Sequence, residues 1–312
     1  MNLKRLTAAI LKQQDDVCSS AIIQLLENSS DFKNLALREG QAILKRDEED
    51  ESKLAKGIEL AVRKNILKKK FEDPPAIRIN VKNRTAQEIT DEIITHLPSR
   101  EGNVIVVQGL SGTGKGTTVS KLWRALPRCV IWSNGNVFRS YTYLCNEELA
   151  KSGKCISDET LTPELLRSLE KRITFEKTES DGQYHTILDG HVRVDDIENT
   201  ILKMPFIGQN VPTVAQQTQG EVIRFAINAL QKLSEEGYNV VVEGRAQTLN
   251  FIETKERFEL FIPDVPTLGQ RRAAQRVMAR ALDLVGSQID SLSDKEVCRY
   301  VEDALEYLTR CD

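Results

Sequence analysis

The chain reads as an α/β protein: a parallel β-sheet covered by helices on both faces, preceded by an all-helical N-terminal region. Three observations predict this. Apolar runs without alternation recur at residues 104–107, 129–132, 240–242 and 258–262, as in strands buried on both faces. Between them lie segments of helical periodicity, at 117–126, 221–236 and 269–284, and strands alternating with helices imply parallel crossover units. Residues 1–72 instead carry apolar residues at helical spacing, beginning with Leu6, Ile10, Ala21, Ile22, Leu25 and Leu26.

The elements follow in chain order. No proline interrupts residues 1–72, and Gly40 and Gly57 are their only glycines. The acidic run at 47–51 and the basic run at 64–70 predict a solvated, charge-patterned helix, with a partner-binding or self-associating arm as the alternative. Pro74 and Pro75 break any helix, so the boundary separates an N-terminal region, 1–72, from a domain spanning 75–312. Residues 76–81 alternate as a short strand. Thr85 and Glu88 have capping-box spacing ahead of Ile89, Ile93, Ile94 and Leu97. Residues 171–200 predict short strands joined by turns at Asp181-Gly182 and Asp189-Gly190, an insertion of the kind that sits over an active site. A closing helix over 293–308 opens with Ser293 and Glu296 in a second capping box.

Composition limits the function. The 312 residues suffice for a large domain and a smaller one, with 40% hydrophobic and 5% aromatic residues giving an aliphatic core. A net charge of -3 argues against dedicated nucleic-acid binding. No apolar run is long enough to span a membrane, and the N-terminus has no secretory segment; Asp15 and Asp16 oppose a transit peptide. Six cysteines form no CxxC pair, which predicts reduced, packed thiols and a cytoplasmic location. His96, His185 and His191 are too scattered to suggest a metal site.

The stretch QGLSGTGKGTT, residues 108–118, carries the chemistry. Gly109, then four residues, then Gly114-Lys115, follows a buried strand and opens a helix, the context of a phosphate-binding P-loop. Glycines allow backbone N–H groups to turn inward onto phosphate oxygens, and the helix start adds partial positive charge. The cradle comprises Gly109, Ser111, Gly112, Thr113, Gly114, Lys115, Gly116, Thr117 and Thr118. Lys115 reaches toward the β- and γ-phosphates. Gly116 stands where Ser or Thr usually follows the lysine, and Thr117 comes next.

GKGT is the variant of nucleoside monophosphate kinases, and from here the chain resembles the cytidylate kinase family. The segments SNGNVFRS (133–140), TILDGHVRVDDIEN, NVPTVAQQTQGEVIRFAINAL, NVVVEGRAQT, RFELFIPD and GQRRAAQR occur in that family's order over residues 103–285. The resemblance implies a P-loop three-layer fold with a small strand-rich, monophosphate-binding insert at about 171–200. It implies transfer of a phosphoryl group from ATP, with Mg²⁺, to CMP, dCMP or UMP. Lys115, Arg245 and Arg272 would be catalytic, Arg271 and Arg276 would contact ATP, and Gly135, Arg139, Arg245 and Gln247 would hold the acceptor. Arginine forks match phosphate oxygens. Thr117 and Glu243 would serve the metal. A kinase of another small metabolite and a nucleotide-binding regulatory module are the alternatives.

Two departures stand out. The family's Gly-Arg-Asp turn is Gly244-Arg245-Ala246 here, so a carboxylate that contacts the acceptor nucleoside is missing. Residues 281–291 read ALDLVGSQIDS, without the family's arginine-rich lid. Either Arg271, Arg272, Arg276 and Arg280 with the N-terminal helices replace it, or turnover is slow.

Overall fold

The computed structural model describes residues 5–69, 72–198 and 200–310. The N-terminal region forms α1 (Ala8–Gln13), α2 (Asp16–Leu26) and α3 (Ser30–Arg63). It is not helical throughout. Thr7, Asp15 and Ser29 each accept a backbone N–H as N-caps, and these short polar side chains divide the segment into three helices. Residues 64–69 lie outside regular helix.

Next come β1 (Ile77–Asn80), α4 (Ala86–Thr95), β2 (Val104–Gln108), α5 (Lys115–Ala125) and β3 (Cys129–Trp132). The capping box of Thr85 and Glu88 heads α4, both of its reciprocal bonds present. Then follow α6 (Asn134–Ala150) and α7 (Pro163–Glu170), which the periodicity had not marked. The insertion contains β4 (Ile173–Lys177), β5 (Tyr184–Leu188), β6 (Val192–Arg193) and α8 (Val194–Ile197). The chain continues through α9 (Pro205–Glu235), β7 (Asn239–Gly244), α10 (Ala246–Leu249), β8 (Arg257–Phe261), α11 (Val265–Val285) and α12 (Asp294–Arg310). Ser293 and Glu296 cap α12 reciprocally.

The helix expected at 221–236 instead begins sixteen residues earlier, at Pro205, and runs through Pro212. Proline at the first helical position costs nothing, because that N–H has no partner anyway; Pro212 removes only one bond from a long helix packed along its length.

The five strands order as β1-β8-β2-β7-β3, every neighbouring pair parallel. Their alternate residues divide the core. Ile105, Val107, Val241, Phe258 and Leu260 pack with Ile89, Ile93, Val119 and Leu122 of α4 and α5. Val106, Val240, Val242 and Trp132 face Val137, Tyr141, Val222 and Ala226 of α6 and α9. The sheet is thus a middle layer between two helical layers, with β2 at its centre.

The insertion is an antiparallel sheet, β4-β5-β6. It packs beside β3 and α9 rather than over the glycine-rich loop. Phe175 meets Trp132 edge-on at 5.5 Å between ring centroids, and Lys177 and Tyr184 both bond Glu236 (2.7 and 2.8 Å).

The N-terminal helices share their core with the other end of the chain. Leu11, Ile22, Phe32 and Leu35 are buried with Val277, Ala281, Val297 and Val301 of α11 and α12. The contact of α3 with α11 is close enough to need glycine: a Cβ on Gly269 would lie 2.0 Å from the Ala36 carbonyl oxygen. Pro74 and Pro75 mark the change from helices to sheet, while the apolar core runs across that boundary.

Among the described residues, no helix is long and apolar enough to cross a membrane, and no cluster of three or more His, Cys, Asp or Glu could hold a metal. Cys18, Cys129 and Cys145 are free thiols, and burial pushes each up to about 12; Cys311 lies outside the described residues.

Candidate phosphate-binding site

The loop leaves the carboxyl end of β2, the central strand. Gly109 has φ 145°, and a Cβ there would lie 2.2 Å from the Leu260 carbonyl oxygen, so the chain turns against β8 only because this residue has no side chain. Gly112 and Gly114 follow at φ 85° and 87°. Gly114 is the N-cap of α5 and supplies no side-chain acceptor. The first-turn N–H groups of α5 therefore point outward uncapped, at the positive end of an eleven-residue helix.

Lys115 folds back on this loop, donating from Nζ to the carbonyls of Gly109 (2.8 Å) and Leu110 (2.9 Å). Burial lowers its pKa, and the neighbouring charge of Arg245, with a smaller contribution from Arg46, adds to the depression; Glu243 and Asp47 oppose it.

A cavity of about 490 Å³ opens above the loop. Ser111, Gly112, Gly114, Lys115, Gly116, Thr117, Glu243, Arg245 and Arg272, all expected site residues, line it, and α3 adds Ile43 and Arg46. Glu243 ends its strand facing the start of α5: its Oε2 is 3.9 Å from where a Gly116 Cβ would stand.

Other expected residues lie elsewhere. Gly109 shapes the loop without lining the cavity. Thr113 and Thr118 are buried, Thr113 donating to the Leu110 carbonyl (2.8 Å). Arg271 is half-buried and donates to the Val81 carbonyl (2.7 Å), just past the end of β1. Arg276 pairs with Glu39 of α3. Arg139 curls back onto its own helix, its Nη1 3.0 Å from where a Gly135 Cβ would be. Among the described residues lining the cavity, Gly135, Arg139 and Gln247 do not appear.

The largest correction concerns the acidic run. Asp47 was expected in solvent, yet it is 2% exposed. It accepts the backbone N–H and the hydroxyl of Ser111 (2.9 Å each) and Nη2 of Arg245 (2.6 Å). Asp50, one turn on, also accepts from Arg245 (3.1 Å). Burial alone would raise the Asp47 carboxyl, but the hydrogen bonds from Arg245 and Ser111 overcome it and hold the group at about 2. Ala36, Gly40, Ile43, Asp47, Asp50, Gly57 and Ala61 recur at the spacing of one helical face. Glycine, alanine and aspartate on that stripe were the available sign that α3 turns it inward.

Comparison with protein-family models finds no match to this chain, and no curated protein matches it.

Proposed function

We propose that the chain is an ATP-dependent phosphotransferase of the nucleoside monophosphate kinase kind, with a pyrimidine monophosphate (CMP, dCMP or UMP) as acceptor. One observation carries the reading: an uncapped helix start and Lys115 share a cavity with Arg46, Arg245 and Arg272, and Glu243 is the one carboxylate among the described residues lining it. Such an excess of donors and positive charge suits a polyphosphate.

The residues also fit Mg²⁺, which takes one or two protein oxygens together with phosphate oxygens. Thr117 and Glu243 lie at the same mouth; there the ion would neutralise charge developing on the moving phosphoryl group. The chain's own share is alignment and cationic stabilisation. The loop amides orient phosphate oxygens. Lys115 exchanges two carbonyl partners for an anion, which offsets the burial that now disfavours its charge. Ser111 and Arg245 hold their places through Asp47.

A second reading keeps the donor and changes the acceptor to another small phosphorylated or hydroxylated metabolite. Two observations favour it: Gly135, Arg139 and Gln247 lie outside the cavity, and Arg245 is hydrogen-bonded to Asp47 and Asp50.

The test is ADP release from ATP and Mg²⁺ across a panel of NMPs, dNMPs and other small phosphorylated or hydroxylated metabolites. Release with CMP, dCMP or UMP alone supports the first reading, and release with a different acceptor alone supports the second. ATP bound without turnover on any acceptor would refute catalysis. Lys115→Ala is expected to lower turnover by at least about 100-fold with the circular dichroism spectrum unchanged; an unaltered rate would remove Lys115 from the site.

A further inference from the structure

Arg46 reaches the cavity from outside the sheet domain, on α3. Three arginines line that cavity, and they are held differently. Arg245 is hydrogen-bonded to two carboxylates. Arg272 bonds Gln275 (3.3 Å) and stands 3.9 Å from Glu39. Arg46 has its ion pair at 3.8 Å, beyond hydrogen-bond range, with an Asp47 already engaged by Ser111 and Arg245. Its side chain is 51% exposed, so its donors are accessible from the cavity mouth.

Its position is nonetheless fixed. The next residue, Asp47, is buried, tied to the loop by two hydrogen bonds from Ser111 and to the end of β7 by a third from Arg245. Ile43, one turn earlier, is buried in the cavity wall. The charge of Arg46 also contributes to the depressed pKa of Lys115, which sets the two cations within electrostatic reach of each other. Residues 286–291, which join α11 to α12, read GSQIDS and carry no arginine. Of the three arginines lining the cavity, Arg46 is the one that α3 supplies.

We propose that Arg46 contacts the terminal phosphate of the bound nucleoside triphosphate, and that Asp47 is the positioning residue that holds it there. The assignment rests on the triphosphate reading above. It makes the N-terminal region part of the site rather than an appendage.

Titration calorimetry of the full chain with Mg²⁺-ATP and with Mg²⁺-ADP tests it. Arg46→Ala is expected to weaken ATP about tenfold and ADP less than twofold. Arg46→Lys should stay within about threefold of the original chain, since it keeps a charge without the fork. Lys45→Ala, exposed on the same helix, should change neither. Asp47→Asn should lose the preference for ATP over ADP, which destabilisation of the fold by itself would not alter. Equal losses for the two nucleotides in Arg46→Ala, or no loss, overturn the assignment while leaving the phosphotransferase reading intact. An original chain that binds neither nucleotide removes that reading, and the role of Arg46 with it.

Discussion

Two arginine–carboxylate clusters in this molecule use the same chemistry in different surroundings. In one, Arg172 beside the insertion meets Asp189 (2.6 Å), Glu147 (3.3 Å) and Glu148 (3.4 Å), with the three carboxylate side chains 32–39% exposed. In the other, Arg245 meets Asp47 and Asp50, and Asp47 is nearly sealed from water. Water screens the first cluster and each pair contributes little. In the second, Asp47 has given up its hydration, although Asp50 is 44% exposed, so removing Arg245 strands the Asp47 charge. The first fastens the insertion to α6. The second fastens α3 to the end of β7, and through Ser111 to the glycine-rich loop. Burial, rather than the number of ion pairs, separates the two clusters.

The comparison breaks most severely if α3 is removed. A chain starting at Pro74 loses Leu11, Ile22, Phe32 and Leu35, all fully buried. At roughly 1.5–3 kcal/mol each, those four alone approach the whole stability of a typical domain, about 5–15 kcal/mol. We expect an insoluble or unfolded product; a soluble fragment with a cooperative melt would show that the sheet domain stands alone. Asp47→Asn comes next, with an expected loss of about 3 kcal/mol in denaturant unfolding, and a loss under 1 kcal/mol would place the Arg245 cluster with the surface one. Acid should sharpen the same point. The folded pKa of Asp47, about 2, lies below its ordinary 3.8. Its contribution is therefore complete above about pH 4 and fades as pH falls toward 2. In Asp47→Asn that part of the acid sensitivity should vanish. The smallest effect is expected for Arg172→Ala, about 1 kcal/mol or less, read by the same unfolding experiment.

Legibility in the sequence followed the range of the interactions. The strands of the parallel sheet were visible to within one or two residues, because burial on both faces leaves an uninterrupted apolar run, as in Val104–Gln108. The capping boxes at Thr85 and Ser293 are three-residue signals, and both appear. The glycine-rich turn is equally local, so its shape could be anticipated from Gly109 and Gly114. By contrast, α6 was hidden by a mixed face of Asn, Ser, Tyr and Thr, and half of α9 by Pro212 and its polar neighbours. Asp47 could not be placed from its own segment, where four further acidic residues surround it. Its partner Arg245 lies 198 positions away. Arg139 and Gln247 were assigned through resemblance, and the cavity does not include them.

The edge position of β1 has a consequence for how the chain is made. Among the described residues its one sheet neighbour is β8, with Asn80 opposite Phe261. At roughly 5–20 residues per second, a ribosome needs on the order of 10–40 s between these two strands. Throughout that interval the nascent chain holds an unpaired strand. The sheet reaches its full width only after translation has passed residue 261, so a message broken before that point yields a polypeptide whose first strand has nothing to join.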